Sequence, residues 1–199
     1  MTYEEFYGSF YEKMKRTEKQ LCEMVTLYIN TKSENEGIKP VIYFCSRIKT
    51  PDSMLEKLKL RGHPQTILAA INDVYDGIGL RVVCPFAEDI YRFIKWLRLQ
   101  AAFTIDIEKD YYSYPKPNGY RSYHLLIQMN NEDRLRAEIQ VRTIANDFWA
   151  TLEHQLKYKK NIENEKTIRK ELKRCADEIA SLDMSMQTIR DIIRNGIDP

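Results

Sequence analysis

No stretch of this sequence stays apolar for anything near the roughly 20 residues that a bilayer-spanning helix needs, which excludes a transmembrane helix. The N-terminal segment MTYEEFYGSFYEKMKRTEK has no uninterrupted apolar core, so no secretory signal peptide is expected. Cysteine is sparse: Cys22, Cys45, Cys84 and Cys175 are scattered without paired spacing. That pattern excludes a disulfide framework, argues against a structural zinc site, and predicts buried free thiols in a reducing cytoplasm. Charge of one sign is also lacking, because 31 Lys and Arg against 29 Asp and Glu leave a net +2. Bulk charge this small does not make a nucleic-acid binder. Repeats and long low-complexity linkers are absent as well.

What is there fits one domain of 199 residues, with a core over about 40–160 and a helix at either end. Phe6, Phe10, Met14, Thr17, Leu21, Met24 and Tyr28 recur at steps of three and four, predicting an amphipathic helix over 3–30. The polar stretch TKSENEG should close it, with Gly37 and Pro40 in a loop. Val41–Ile48 reads as a strand stopped by Pro51, and Ser53 with Glu56 reads as a capping box for a short helix. Gln65–Asn72 and Glu88–Leu99 follow as helices; Leu80–Cys84, Phe103–Ile107, Ser122–Met129 and Leu135–Arg142 follow as strands. Two helices end the chain. Ile144, Phe148, Leu152 and Leu156 repeat every fourth residue in one. In the other, over 163–195, Ile168, Leu172, Cys175, Ile179, Leu182, Met186, Ile189 and Ile193 form a heptad seam. That seam serves either packing on the N-terminal helix or assembly of an oligomer. The centre is therefore a mixed α/β sheet domain with helical ends.

Four stretches carry chemistry. In SRIKTPDSMLEK, Arg47 and Lys49 share a strand face, and Ser53 and Lys57 share a helix face. Singly, Ser53 is an ordinary cap and Lys57 an ordinary surface charge; together, beside a helix N-terminus, they can surround a phosphate. In NDVYDGIGLRVVCPF, Asp76 occupies a glycine turn ahead of a strand that carries Arg81. Such an acid is commonly a turn former, and it is also a way to hold Mg²⁺. In RAEIQVRT the alternation puts Ala137, Ile139 and Val141 on one face and Arg136, Glu138, Gln140 and Arg142 on the other. On an edge strand such a face is usually solvated, but an acid, an amide and an arginine in register can bind metal and phosphate together. With Asp76, Glu138 completes the minimum for phosphoryl-type transfer: one acid for a metal, one to help deprotonate a hydroxyl. Finally, KDYYSYPKPNGYRSYH sets tyrosines and cations in a loop shaped by proline and glycine, suited to stacking on a base and holding phosphates.

These pieces, in this order, resemble the synthetase domain of the RelA/SpoT family, and in particular its small members that consist of little else. The matching stretches SRIKTPDSMLEK, DGIGLRV, KDYYSYPKPNGYRSYH and AEIQVRTIANDFWATLEHQLKYK span about residues 43–160. The resemblance implies a nucleotidyltransferase-like mixed sheet flanked by helices, and transfer of pyrophosphate from ATP to the 3′-hydroxyl of GDP or GTP, with GMP also open. It implies Arg47 and Arg81 on the adenine, and Lys49, Ser53 and Lys57 on the ATP phosphates. Asp76 would be the Mg²⁺ ligand, and Glu138 the acid that assists the metal and activates the acceptor. It implies Tyr120 on the guanine with Asn118 nearby. Lys116, Arg121, His124, Gln140 and Arg142 would line the acceptor side. The turn Asp76-Gly77-Ile78-Gly79 departs from the family's usual Asp-Ile-Ala-Gly, and the arginine some members carry before Lys109 is missing.

None of His63, His124 and His154 is followed by Asp, so synthesis without hydrolysis is expected. The small members can assemble into tetramers, which the terminal helices would suit. Two other readings remain. Some small members modify the 3′ end of tRNA, which would require a basic path for RNA. A nucleotide-sensing module without activity is the other, and the presence of both Asp76 and Glu138 weighs against it.

Overall fold

Thr2 opens the first helix, its hydroxyl accepting from the Glu5 amide while the Glu5 carboxylate accepts from the Thr2 amide. The computed structural model describes residues 1–36, 39–157 and 164–195. Helix α1 (Tyr3–Tyr7) stops at Gly8, whose φ of 54° turns the chain into α2 (Phe10–Glu36). The single helix expected over 3–30 is thus two. It also runs further, because residues 31–36 contain no glycine or proline to end it. Gly37, expected in the following loop, lies outside the described residues. Tyr7, Met14, Thr17, Leu21, Val25 and Tyr28 form the buried face.

Strand β1 (Tyr43–Ile48) precedes α3 (Pro51–Leu60), and the cap of α3 is not the expected one. Thr50 is the N-cap and accepts from the Ser53 amide, with Pro51 pre-set for the first turn. Pro51 therefore starts a helix rather than merely stopping a strand. The remaining elements are α4 (Ile67–Asn72), a 3₁₀ turn at Tyr75–Gly77, β2 (Ile78–Cys84), α5 (Ala87–Leu97), β3 (Phe103–Asp110), β4 (Tyr123–Met129), β5 (Arg136–Thr143), α6 (Ile144–Lys157) and α7 (Glu165–Asn195). Residue 163, where the last helix was expected to begin, lies outside the described residues.

The five strands form one sheet in the order β1-β2-β5-β4-β3, with β2 and β5 parallel and the other pairs antiparallel. Strand β5 is therefore central, not the edge strand its polar face suggested. Helices α2 and α5 cover one face of the sheet. Burying residues such as Ile90, Phe93, Ile94 and Leu97 there contributes about 1.5–3 kcal/mol per side chain. The other face carries the polar residues. Directly paired residues share a face, so Cys45, Arg81, Gln140, His124 and Lys109 form one row across all five strands.

Helix α7 packs on α6 and α5 rather than along the N-terminal helix. The Trp149 indole N–H donates to the Leu172 carbonyl at 2.9 Å, and Arg190 makes a two-pronged ion pair with buried Asp89. The periodic stripe of α6 (Ile144, Phe148, Leu152, Leu156) is exposed, as are Leu182, Met186, Ile189 and Ile193 on α7. Of the four cysteines, all free, only Cys84 is buried; Cys45 is exposed on the polar sheet face. The expectation of buried thiols thus holds fully for Cys84; Cys22 and Cys175 are half-buried, and Cys45 falls on the outward phase of β1.

Candidate active site

Backbone contacts fix Lys49 before its side chain does anything. Its amide donates to the Gly77 carbonyl at 2.9 Å, and its own carbonyl accepts from the Tyr7 hydroxyl at 2.7 Å. The Lys49 ammonium then lies 3.1 Å from Asp76 Oδ2, and Lys57, from the last turns of α3, lies 2.5 Å from the same oxygen. Burial works to raise the Asp76 carboxyl, but the two ammonium groups outweigh it and hold it below the usual carboxylate value. Burial lowers Lys57, which Asp76 only partly offsets. Asp76 Oδ1 is buried and has no hydrogen-bond partner among the described residues. The Arg47 side chain runs alongside Gly79 of β2. Ser53 sits exposed at the start of α3, bonded to the Thr50 hydroxyl and not lining the cavity.

On the far side a chain of hydrogen bonds runs in one direction. Arg142 donates to the Tyr120 hydroxyl at 2.6 Å and to Gln140 at 2.8 Å. The Tyr120 hydroxyl meets His124 Nε2 at 2.9 Å, and His124 Nδ1 meets Glu138 Oε1 at 2.8 Å. An ionised Glu138 accepts from Nδ1–H, and in the neutral imidazole that leaves Nε2 to accept from Tyr120. Burial works to raise Glu138, but the contacts with His124 and Gln140 prevail and keep it below its usual value. His124 is thus both a strand histidine satisfied by hydrogen bonds and a neighbour of the acid. The Lys116 ammonium lies over the rings of Tyr111 and Tyr120, at 4.6 and 5.0 Å. Asn118 ties the loop to α6, donating to Glu153 while accepting from the Tyr120 amide, and Arg121 holds the Tyr112 carbonyl within the loop.

Between the two sides lies a cavity of about 420 Å³. Arg47, Asp76, Arg81, Tyr120, Glu138, Gln140 and Arg142 line it together. Lys49 and Lys57 stand directly behind Asp76, and Lys116, Asn118 and His124 stand beside Tyr120, whereas Arg121 turns away to the Tyr112 carbonyl and does not line the cavity. Sequence reasoning missed the roof. Helix α6 contributes Thr151, His154 and Gln155 to the cavity wall, and Asp147 reaches both Arg81 and Arg142. The signal was present: Asp147, Thr151 and His154 recur at helical spacing, on the face flanking the apolar stripe that drew attention. Three buried polar atoms around the cavity, Asp76 Oδ1, Arg81 Nε and Arg142 Nε, have no partner among the described residues. Such orphans are costly unless something bound completes them.

A sheet face that sets two acids between separate cation clusters, with an aromatic ring on one side, defines a cleft for nucleoside polyphosphates and transfer between them. The chain belongs to the RelA/SpoT family: the model of the region found in RelA and SpoT proteins matches residues 46–163. It is 40% identical over 159 residues to GTP pyrophosphokinase YwaC of Bacillus subtilis, covering 77% of this chain and 76% of that one. It is 31% identical to GTP pyrophosphokinase YjbM of the same organism over 193 residues, 94% of this chain and 88% of that one. Among solved structures it is similar to small alarmone synthetase 1 of B. subtilis bound to its product pppGpp. There the TM-score is 0.80 at 30% identity, over 89% of this chain and 93% of that one.

Proposed function

We propose that this chain is a (p)ppGpp synthetase: a GTP diphosphokinase that moves pyrophosphate from ATP to the 3′-hydroxyl of GDP or GTP, with GMP a possible third acceptor. The observation that carries this reading is the convergence of Asp76 and Glu138 on one cavity between a Lys49–Lys57 pair and the Tyr120–Arg142 side. Arg47 and Arg81 hold the ATP base and Lys49 and Lys57 serve its phosphates, with Ser53, outside the cavity wall, able to reach them only at the α3 N-terminus. Tyr120 stacks on the guanine, with Lys116, Asn118, Arg121, His124, Gln140 and Arg142 shaping the acceptor side. The catalytic unit covers 1–199, with its core over 40–160.

Mg²⁺ suits the donor set. Asp76 keeps a free, buried carboxylate oxygen, Glu138 stands across the cavity, and substrate phosphates with water supply the rest of an all-oxygen shell. When bound, the ion neutralises charge on the phosphate oxygens. The protein's own residues do the positioning. Lys49 and Lys57 balance the triphosphate. Glu138, ionised at neutral pH, takes the proton of the 3′-hydroxyl while His124 fixes its orientation. That hydroxyl oxygen bonds to the β-phosphorus, the bond from the α-phosphate bridging oxygen to the β-phosphorus breaks, and AMP leaves. Catalysis is mainly positioning and electrostatic stabilisation.

The exposed apolar residues of α6 and α7 support a homo-oligomer, with a tetramer as the expected form. Free thiols and nucleotide substrates suit the cytoplasm. The test is a product assay with Mg²⁺, ATP labelled at the β-phosphate, and GDP, GTP, GMP or tRNA in parallel. Label is expected in a guanine nucleotide, and Asp76→Ala or Glu138→Ala should cut the rate at least about a hundredfold. Label in tRNA alone would replace this reading with the RNA-modifying one; label nowhere would leave a nucleotide sensor.

A further inference from the structure

Asp147 lies in the first turn of α6, is 5% exposed, and makes contacts that a helix-terminal acid does not need. Its Oδ1 is 3.4 Å from Arg81 Nη1 and 3.1 Å from Arg142 Nη1. Its Oδ2 accepts from the Tyr43 hydroxyl. Arg81 and Arg142 come from adjacent strands β2 and β5, on the same sheet face, and converge on the one oxygen Oδ1. Arg142 in turn orients the Tyr120 hydroxyl at 2.6 Å and lies over the Tyr120 ring at 5.0 Å. One buried carboxylate therefore holds a cation on the donor side and, through a second cation, the aromatic ring on the acceptor side.

We infer that Asp147 is a positioning residue that sets the ATP-side Arg81 and the acceptor-side Arg142–Tyr120 pair together. This rests on the donor and acceptor assignments made above. The physical case is one of order. Each arginine leaves its Nε buried without a partner among the described residues, so each guanidinium is held from its terminal nitrogens alone. Without Asp147, two like charges on neighbouring strands lose their shared counter-ion and repel. A planar guanidinium free to rotate no longer presents a fixed face for stacking. Tyr43 adds the second anchor, keeping the carboxylate from turning toward only one arginine.

The experiment is steady-state kinetics on the full chain with both substrates varied, together with thermal melts. Asp147→Asn, which keeps shape and removes charge, should raise KM for ATP and for the guanine acceptor by about tenfold each, with kcat changed less. In an Arg81→Ala background the same substitution should add nothing to KM for ATP and still raise KM for the acceptor. Tyr43→Phe, which leaves the charge in place, should shift both KM values in the same direction by less. A purely structural Asp147 would lower the melting temperature and leave both KM values unchanged, which overturns the proposal. Equal, additive effects on KM for ATP with and without Arg81 would overturn it as well. An Arg81→Ala enzyme with the parent's KM for ATP would instead strike down the donor assignment, and the ATP half of the proposal with it.

Discussion

Asp183 on α7 places one carboxylate oxygen among three donors, the hydroxyls of Tyr112 and Thr143 at 3.1 and 2.7 Å and the Asn146 amide at 2.9 Å. Burial nevertheless prevails over those hydrogen bonds and pushes the carboxyl above its usual 3.8. A folded value above the unfolded one means that the folded state holds the proton more tightly. Its contribution to stability is full below 3.8 and is lost as pH rises through the folded value. Asp183→Asn should remove that slope. Melting temperatures of parent and variant, followed from about pH 7 to about pH 4, should converge or cross in the parent's favour as acid is added. Curves that stay parallel would show that Asp183 does not titrate in this window. Residues of this kind were invisible in the sequence, because Asp183 meets its partners only after α7 folds back over β5. Asp147 showed in the sequence only the helical spacing it shares with Thr151 and His154, because its two arginines lie on separate strands. Arg47, Asp76, Arg81, Glu138, Gln140 and Arg142, which share one cavity, were singled out by strand and turn spacing together with the family resemblance.

Elements were legible wherever a period ran without interruption, and less so where tertiary position decided their role. The alternation of β5 predicted its polar and apolar faces correctly, but not that it lies in the middle of the sheet, since a strand's place depends on partners far along the chain. The α3 cap was misassigned by three residues because Thr50 and Ser53 are equally good hydroxyl caps, and Pro51 at the first helical position decides between them. The loop from Lys116 to Tyr120 shows how one element depends on another. Gly119 has φ of 89°, and a Cβ added there would lie 2.4 Å from the Ala176 Cβ on α7. Gly119→Ala should therefore displace the loop, raising KM for the guanine acceptor several-fold, by about 3- to 10-fold, with KM for ATP nearly unchanged. Ala176→Gly should partly relieve the effect, leaving the cost of the left-handed backbone. Equal changes in both KM values would mean that the loop does not belong to the acceptor side.

For the molecule as a whole, the α6 stripe and the outer face of α7 are the largest unfinished business. Phe148 is 60% exposed in the middle of that stripe. A charge there should be incompatible with a buried contact between copies, so Phe148→Glu should shift the sedimentation-derived mass from oligomer to monomer while leaving the secondary structure intact. An unchanged mass would move the assembly surface elsewhere.

The strand order has a consequence for how the enzyme comes into being. Strand β5 is the last strand in the chain and the middle strand of the sheet, inserted between β2 and β4. Arg47, Lys49, Lys57, Asp76 and Arg81 are all in place along the chain before α5, whereas Glu138 arrives on the strand that joins the halves. A nascent chain exposed only as far as β4 has two unjoined half-sheets and no floor between them. Pairing residues this distant is the slow part of folding for such topologies. A chain that stops before Glu138 lacks both the acid and the strand that joins the two half-sheets, and one that stops at Thr143 still lacks the α6 wall of the cavity.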